Sequence, residues 1–129
     1  MSAKPVPIEG KQLMFDERLP TAVWADALIR RAQIEGAGVF VIQKGEASRG
    51  DVLLKVATLD GLARAYRPQT NMEGERVFLD LSKQGIGPDE AQIDEYLAKA
   101  KARDADLWII EIEDREGRHF LTEPIESLS

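Results

Sequence analysis

Near the end of the chain stands the run Leu107-Trp108-Ile109-Ile110-Glu111-Ile112-Glu113. Its second half alternates between apolar and acidic residues, and successive side chains of a β-strand point to opposite faces of a sheet, so the run predicts a strand. Trp108, Ile110 and Ile112 then face the core. Glu111 and Glu113 share the outer face with the solvent.

The residues that follow predict a hairpin. Residues 114–117 form its turn, and Gly117 suits the left-handed position of a short hairpin loop. Residues 118–122 form the returning strand. This register places Glu113 opposite His119.

Two earlier segments have the period of amphipathic helices. The first helix opens at Pro20-Thr21 and ends at the glycines Gly36 and Gly38. Its predicted buried face consists of Val23, Trp24, Ala27, Leu28 and Ile34. The second helix begins at Pro88, which suits a first helical position. Its predicted buried stripe consists of Ile93, Tyr96, Leu97 and Ala100.

Four further runs are rich in β-branched and aromatic residues and predict strands. They are residues 39–42, 51–56, 62–66 and 77–81. We expect the first two to pair as an antiparallel hairpin across the loop at residues 45–50. The predicted order of elements is therefore α-β-β-β-β-α-β-β.

This order predicts an α+β fold, with a mostly antiparallel sheet of about six strands and two helices packed on one face. The chain has 129 residues, which is enough for one domain with its own core. We expect that domain to span residues 19–122. Residues 1–18 are expected to form a flexible leader and residues 123–129 a tail.

Composition restricts the classes of function. The sequence has no cysteine, which excludes disulfides and thiolate chemistry and favours a cytoplasmic location. No stretch has the length of a signal peptide core or a membrane span, so we expect a soluble protein without membrane attachment. The formal net charge is −6, and residues 71–129 carry most of the acid. This acidity disfavours broad binding of nucleic acid.

Three segments resemble a small alphaproteobacterial family known as domain of unknown function 1491. The first is Leu19-Pro20-Thr21-Ala22-Val23-Trp24 with Ala27-Leu28-Ile29-Arg30-Arg31, and the second is Gly50-Asp51-Val52-Leu53-Leu54-Lys55-Val56. The third and most specific is residues 104–120, from Asp104-Ala105-Asp106-Leu107-Trp108 to Gly117-Arg118-His119-Phe120. The resemblance spans about residues 19–122 and implies common origin and size. It implies no activity and no catalytic residues.

The predicted closing hairpin is the best candidate for chemistry. Carboxylates and the single histidine crowd into nine positions there, and the weak catalytic candidates are Glu111, Glu113 and His119. Such a set could hold a divalent ion or divide acid and base roles in a metal-assisted hydrolase, with Asp80 as one guess for a distant ligand. The favoured interpretation is solvated acids with a Glu113–His119 cross-strand pair, so no metal site is predicted.

Two loops and one group of basic residues support weaker hypotheses. The loop Gln84-Gly85-Ile86-Gly87 is loosely similar to the pyrophosphate loop of acyl-CoA-dependent acyltransferases, but Pro88 and the acids Asp89 and Glu90 oppose that function. The loop at residues 45–50 lacks the lysine of a phosphate-binding loop. A modest basic face would suit a nucleic-acid-binding accessory protein if its members converged. Those members are Arg30, Arg31, Lys44, Arg49, Lys55, Arg64 and Arg67.

The leading hypothesis is a small non-enzymatic module that acts through protein contacts, with a homodimer formed through an edge strand as one form of it. It predicts an unknown protein partner and no cofactor. The alternatives are the hydrolase, the acyltransferase-like domain and the nucleic-acid-binding protein.

Overall fold

The computed structural model describes residues 19–126, so the predicted leader at residues 1–18 lies outside the described residues. The helices and strands are α1 (Thr21–Ile34), β1 (Gly38–Gln43), β2 (Val52–Ala57), β3 (Ala63–Thr70), β4 (Arg76–Asp80), α2 (Glu90–Arg103), β5 (Trp108–Glu113) and β6 (Ile125–Glu126). A 3₁₀ turn at Leu81–Gln84 follows β4. The predicted α+β class and element order are confirmed. No helix within residues 19–126 is long and apolar enough to cross a bilayer.

All six strands belong to one sheet in the order β1-β5-β2-β3-β4-β6. The pairs β1–β5, β2–β3 and β3–β4 are antiparallel, whereas β2–β5 and β4–β6 are parallel. The predicted six-stranded, mostly antiparallel sheet is therefore confirmed. The sheet has β1 at one edge and β6 at the other.

The predicted hairpin of β1 with β2 is wrong, because β5 lies between them. Ile109, Ile110 and Ile112 have no exposed surface and need a central position with both faces covered. The β1–β2 loop passes over the start of β5, where the Glu46 N–H donates to the Asp106 carbonyl at 2.9 Å. The loop lies so close that a side chain at Gly45 would collide with the Asp106 backbone.

The prediction that both helices pack on one face is also wrong. α1 buries Ala25, Leu28 and Ala32 in a cluster that includes Val52, Leu54 and Val56 of β2. α2 buries Ile93, Leu97 and Ala100 in a second cluster that includes the alternate residues Leu53 and Ala57. Because alternate residues of a strand face opposite ways, the helices lie on opposite faces of the sheet. We call them the α1 face and the α2 face.

The end of the chain does not form the predicted returning strand. Asp114 accepts hydrogen bonds from the Arg118 backbone N–H at 2.9 Å and from its guanidinium at 2.8 Å, which turns the chain away from β5. Phe120 has a positive φ of 61°, outside the strand region. Residues 118–122 cross the α1 face instead. The sixth strand is Ile125–Glu126, which pairs with β4.

The predicted faces of the helices are partly correct. Val23 and Ile34 of α1 are 49% and 74% exposed, so they do not belong to its buried face. Trp24 is half-buried and stacks on Phe78 at 5.7 Å between ring centroids. The inward orientation predicted for Trp108 is confirmed, since only 4% of this residue is exposed.

Candidate functional site

Strand β1 forms an open, apolar edge of the sheet. Its sequence Gly-Val-Phe-Val-Ile-Gln contains no charged residue. Phe40, Val41 and Ile42 are 49%, 45% and 44% exposed, although they stand in consecutive positions of the strand. β5 pairs with one side of β1, and no strand within residues 19–126 pairs with the other. A row of backbone N–H and C=O groups therefore faces outward beside exposed apolar side chains.

The register of β1 assigns its side chains to the two faces. Val41 lies opposite Ile110, so it belongs to the α1 face. Phe40 lies opposite Glu111 and belongs to the α2 face. The regular register breaks after Val41, where the Gln43 side chain donates to the Leu107 carbonyl at 2.7 Å and holds the end of the strand.

Beside Phe40, the α2 face carries a group of acids around one buried lysine. Lys55 of β2 is 3% exposed. Its Nζ lies 2.7 Å from Glu90 Oε2, 2.6 Å from Asp94 Oδ1 and 3.5 Å from Glu111 Oε2. Glu113 adds a fourth carboxylate two residues beyond Glu111 on the same face of β5. We call these four carboxylates the acidic flank.

The electrostatics of the acidic flank follow from burial and pairing. Burial disfavours the charged form of Lys55, but hydrogen bonds to Asp94 and Glu90 outweigh it and raise the pKa of the ammonium above its usual range. Burial also raises the pKa of Glu111, against the attraction of Lys55. One positive charge thus stands among four carboxylates, and the flank has an excess of negative charge.

A shallow cleft opens beside the first residue of β1. It has a volume of about 370 Å³. We call it the acidic cleft, and its lining residues are Gly36, Gly38, Leu59, Glu113, Asp114, Arg115 and Glu116. Asp114 is occupied by Arg118, whose guanidinium holds the pKa of that carboxyl below its usual range. Arg118 Nε also lies 3.7 Å from Glu116 Oε1, and Arg115 lines the same cleft, so Glu113 is the acid of the cleft that has no ion pair within residues 19–126.

The matching family model, described as a protein of unknown function (DUF1491), covers residues 19–122. The chain belongs to the DUF1491 family. The resemblance that the sequence segments indicated is therefore correct. No protein with a curated description matches the chain.

Solved structures agree with this membership. A crystal structure of a DUF1491 family protein from Caulobacter crescentus is 44% identical, covers 84% of this chain and 100% of its own, and superposes with a TM-score of 0.77. An NMR structure of a DUF1491 protein from the same species, also 44% identical, covers 84% of this chain and 96% of its own with a TM-score of 0.72. The solution structure of protein Atu0922 from A. tumefaciens is 28% identical, covers 87% of this chain and 99% of its own, and has a TM-score of 0.66.

In this DUF1491 member, the three residues proposed for catalysis do not meet. Glu111 contacts Lys55 on the α2 face. Glu113 lies opposite Gly38 and Ala57, so the predicted pairing of Glu113 with His119 is wrong. His119 packs against Tyr66, which belongs to the α1 cluster, at 5.3 Å between ring centroids. Within the described part of the chain, no three acids or histidines are placed to hold a metal ion.

His119 has a local structural contact instead. Its Nδ1 accepts a hydrogen bond from the Leu121 N–H at 2.9 Å, which fixes the neutral ring. Burial lowers the pKa of the imidazole, and the charge of Asp80 opposes this effect. The guessed metal ligand Asp80 is itself paired with Arg64, whose guanidinium lies 2.6 Å from its carboxylate.

The other loops and basic residues of this DUF1491 chain are also accounted for. In the loop before α2, the Gly87 N–H donates to the Gln92 side chain at 3.2 Å, so this amide is already occupied. Arg31 donates two hydrogen bonds to the Phe120 carbonyl. Lys55 lies on the α2 face, whereas Arg64 lies opposite Val56 on the α1 face. Lys55 and Arg64 therefore lie on opposite faces of the sheet, so the seven predicted basic residues do not all converge on one face.

Sequence reasoning treated Lys55 as a surface cation and missed its buried position. The signal was its place inside Val52-Leu53-Leu54-Lys55-Val56, where apolar residues stand at positions that face both sides of the sheet. Such a pattern predicts a strand covered on both faces. A lysine within it then needs acidic partners from another element, and α2 supplies Glu90 and Asp94.

Proposed function

We propose that this protein is a non-enzymatic interaction module that takes a strand of a protein partner onto β1. One observation carries the proposal: β1 exposes three consecutive large apolar side chains along an edge with no pairing strand in the described chain. The cysteine-free composition fits a cytoplasmic setting, which forms part of the proposal.

Unpaired backbone groups along β1 are the physical basis for strand addition. An outer edge presents a ready template for another strand, and natural proteins usually protect it with charges, prolines, bulges or a very short strand. Residues 38–42 of β1 contain no charge and no proline, and its regular pairing with β5 extends from Gly38 to Val41 before the register breaks. Added strands gain main-chain hydrogen bonds from such an edge and specificity from pockets for alternate side chains.

The contacts of the catalytic candidates favour this proposal over the enzymatic hypotheses. Lys55 engages Glu111, and the Leu121 N–H engages His119, so both groups already have structural partners. An acid and a base that act together must lie within hydrogen-bond reach of one substrate. Their positions on opposite faces of the sheet do not meet that condition.

A second copy of the chain is the other strand that could add to β1. Two antiparallel β1 strands would bring Phe40, Val41 and Ile42 of each copy together and give a homodimer. Sedimentation velocity over a range of concentrations distinguishes this arrangement from a complex with another protein.

The central experiment substitutes the edge without changing the core. In Val41→Lys, the edge gains the charge that natural sheets use against strand addition. Val23→Lys is the matched control, because Val23 is similarly exposed but lies on α1. We expect Val41→Lys to lower capture of the native partner by at least about tenfold and Val23→Lys to leave it unchanged.

Hydrogen exchange then locates the contact in the purified complex. We expect the backbone amides of β1 to become protected from exchange when the partner binds. Capture that survives Val41→Lys, with no added protection in β1, would show that the proposal is wrong.

A further inference from the structure

We propose that the strand received by β1 is basic, and that one of its lysine or arginine side chains crosses Gly38 and enters the acidic cleft. This inference rests on the proposed strand addition and names the chemistry of its partner.

The charge beside β1 is negative and incompletely neutralised. Lys55 is the single cation that contacts the acidic flank within residues 19–126, and it already engages Glu90, Asp94 and Glu111. Glu111 retains 17% exposure and Asp94 retains 55%, so their field reaches the solvent beside Phe40. A cation brought to this surface gains attraction that a neutral or acidic side chain does not.

The surface between the edge and the acids is open at Gly38. Gly38 pairs with Glu113 across β1 and β5, so both residues belong to the same face. A Cβ placed on Gly38 would lie 3.6 Å from Glu113 Oε1 and 3.5 Å from the Phe40 ring. Because Gly38 has no side chain, the Glu113 carboxylate is separated from the outer edge by a glycine with the Phe40 ring beside it.

The distances favour a long basic side chain. Neighbouring strands lie about 4.8 Å apart, so a strand added to β1 lies roughly 10 Å from the backbone of β5. Lysine and arginine carry a charge at the end of a long stem that can lie along apolar surface, and the Phe40 ring provides that surface. The charged end then reaches the acidic cleft beside Glu113. The three carboxylates of the cleft outnumber Arg115 in its lining and Arg118, which pairs with Asp114, by one charge.

Charge also selects against a second copy as the occupant. A symmetric antiparallel pairing of two β1 strands keeps both α2 faces on one side of the joined sheet. The two Glu111 residues would then lie three strand spacings apart, roughly 14 Å, so their repulsion opposes the dimer mainly at low salt, because the screening length is about 8 Å at physiological salt. Such a dimer adds acid to acid, whereas a basic strand neutralises it.

The test uses two short synthetic peptides of equal length and labelled alike. One alternates valine with lysine and the other alternates valine with glutamate. We expect the full chain to bind the basic peptide more tightly, with β1 amides protected from exchange and with affinity that falls as salt rises.

Matched variants locate the charge effect. The double variant Glu113→Gln and Glu116→Gln removes two charges from the acidic cleft and keeps side-chain size. The control Glu73→Gln and Glu95→Gln makes the same change of net charge away from β1. We expect the first variant to weaken basic-peptide binding about three- to tenfold and the control to leave it within experimental error. The reversed variant Glu113→Lys and Glu116→Lys should prefer the acidic peptide.

The outcomes separate this inference from the proposed function. Equal protection of β1 by both peptides overturns the basic preference while strand addition stands. A dimer that Val41→Lys dissolves also overturns the inference and leaves strand addition in place. Protection by neither peptide overturns the inference as well, and the exchange pattern of the native complex then decides the proposed function independently.

Discussion

The two edges of the sheet differ in length, cover and charge. β6 at one edge has two residues, follows Pro124 and includes Glu126. β1 at the other edge has six residues, and its exposed centre is apolar. Short strands, prolines, charges and bulges are the usual means of preventing strand addition; β6 has the first three, whereas β1 has only the register break after Val41. Ile125 of β6 is itself 38% exposed, so the comparison teaches that the two edges differ in length and protection rather than in exposure alone.

The largest loss of stability should come from truncation of the buried Phe78, and the exposed Phe40 is its matched comparison. Phe78 of β4, beside β6, has no exposed surface and stacks on Trp24, whereas Phe40 of β1 is 49% exposed. We expect Phe78→Ala to lower the free energy of unfolding by about 3–5 kcal/mol and Phe40→Ala by less than about 1 kcal/mol. Urea denaturation measures both. Equal losses would mean that Phe40 is a core residue and that the β1 edge is not open.

Removal of Lys55, the cation that the acidic flank surrounds, should cause the next largest loss of stability. Lys55→Met leaves Glu90, Asp94 and Glu111 without their cation, and breaking a buried pair costs about 3–5 kcal/mol. Because these carboxylates are partly exposed, we expect a loss of about 2–3 kcal/mol in unfolding free energy. The control Lys99→Met removes a cation that lies 3.8 Å from Glu95 on the surface, and it should cost less than about 0.5 kcal/mol. Equal unfolding free energies for the two variants would show that Lys55 does not stabilise the acidic flank.

The segment that leads to β6 should respond to pH through His119. Burial lowers the pKa of His119 below its ordinary value of 6.5, so the folded protein binds this proton less readily than the unfolded chain. The contribution to stability is therefore complete above pH 6.5 and is lost as pH falls through the lower, folded pKa. His119→Asn keeps an acceptor for the Leu121 N–H without titrating in this range.

Unfolding free energies measured at about pH 7.5 and about pH 5 should fall more steeply in the natural chain than in His119→Asn. Asp80 and Asp114 have lowered pKa values, so their loss of stability belongs to a more acidic range, below 3.8. Parallel slopes in the two proteins would show that His119 contributes no pH dependence.

The smallest change in the stability of the isolated chain should come from a substitution at the open edge. Val41→Lys is expected to change the free energy of unfolding by no more than about 0.5 kcal/mol, because Val41 is 45% exposed and has a neighbouring strand on one side only. A larger loss would assign Val41 to the core. It would then weaken the use of this variant as a probe of partner binding.

Local patterns in the sequence predicted the elements, whereas the neighbours of each strand required long-range information. The alternation around Trp108 and Ile110 identified β5 because the period of a strand is local. The insertion of β5 between β1 and β2 depends on pairing across more than fifty residues, and no local signal specifies it. β2 has apolar residues on both of its faces, and this pattern could have predicted helices on opposite faces of the sheet.

The candidate site was only partly accessible from the sequence. Strand addition at an edge followed from the general weakness of sheet edges, but the identity of that edge depends on the order of strands. Glu111 and Glu113 were correctly placed on one face of β5, opposite to Ile112. Their partners were not predicted, since Lys55 comes from a strand that had been paired with residues 39–42, and Gly38 had been assigned to the end of the first helix. The Asp114–Arg118 ion pair turns the chain away from β5, and His119 lies on the opposite face of the sheet from Glu111 and Glu113.

The central place of β5 has a consequence for synthesis of the chain. A nascent polypeptide that ends before Trp108 contains β1 and β2, but the strand that joins them is still inside the ribosome or not yet made. Until β5 is available, β1 and β2 have no hydrogen-bonded strand between them, because they do not pair with each other. We expect this part of the sheet to form only when β5 pairs with both strands, since contacts between segments distant in sequence form slowly.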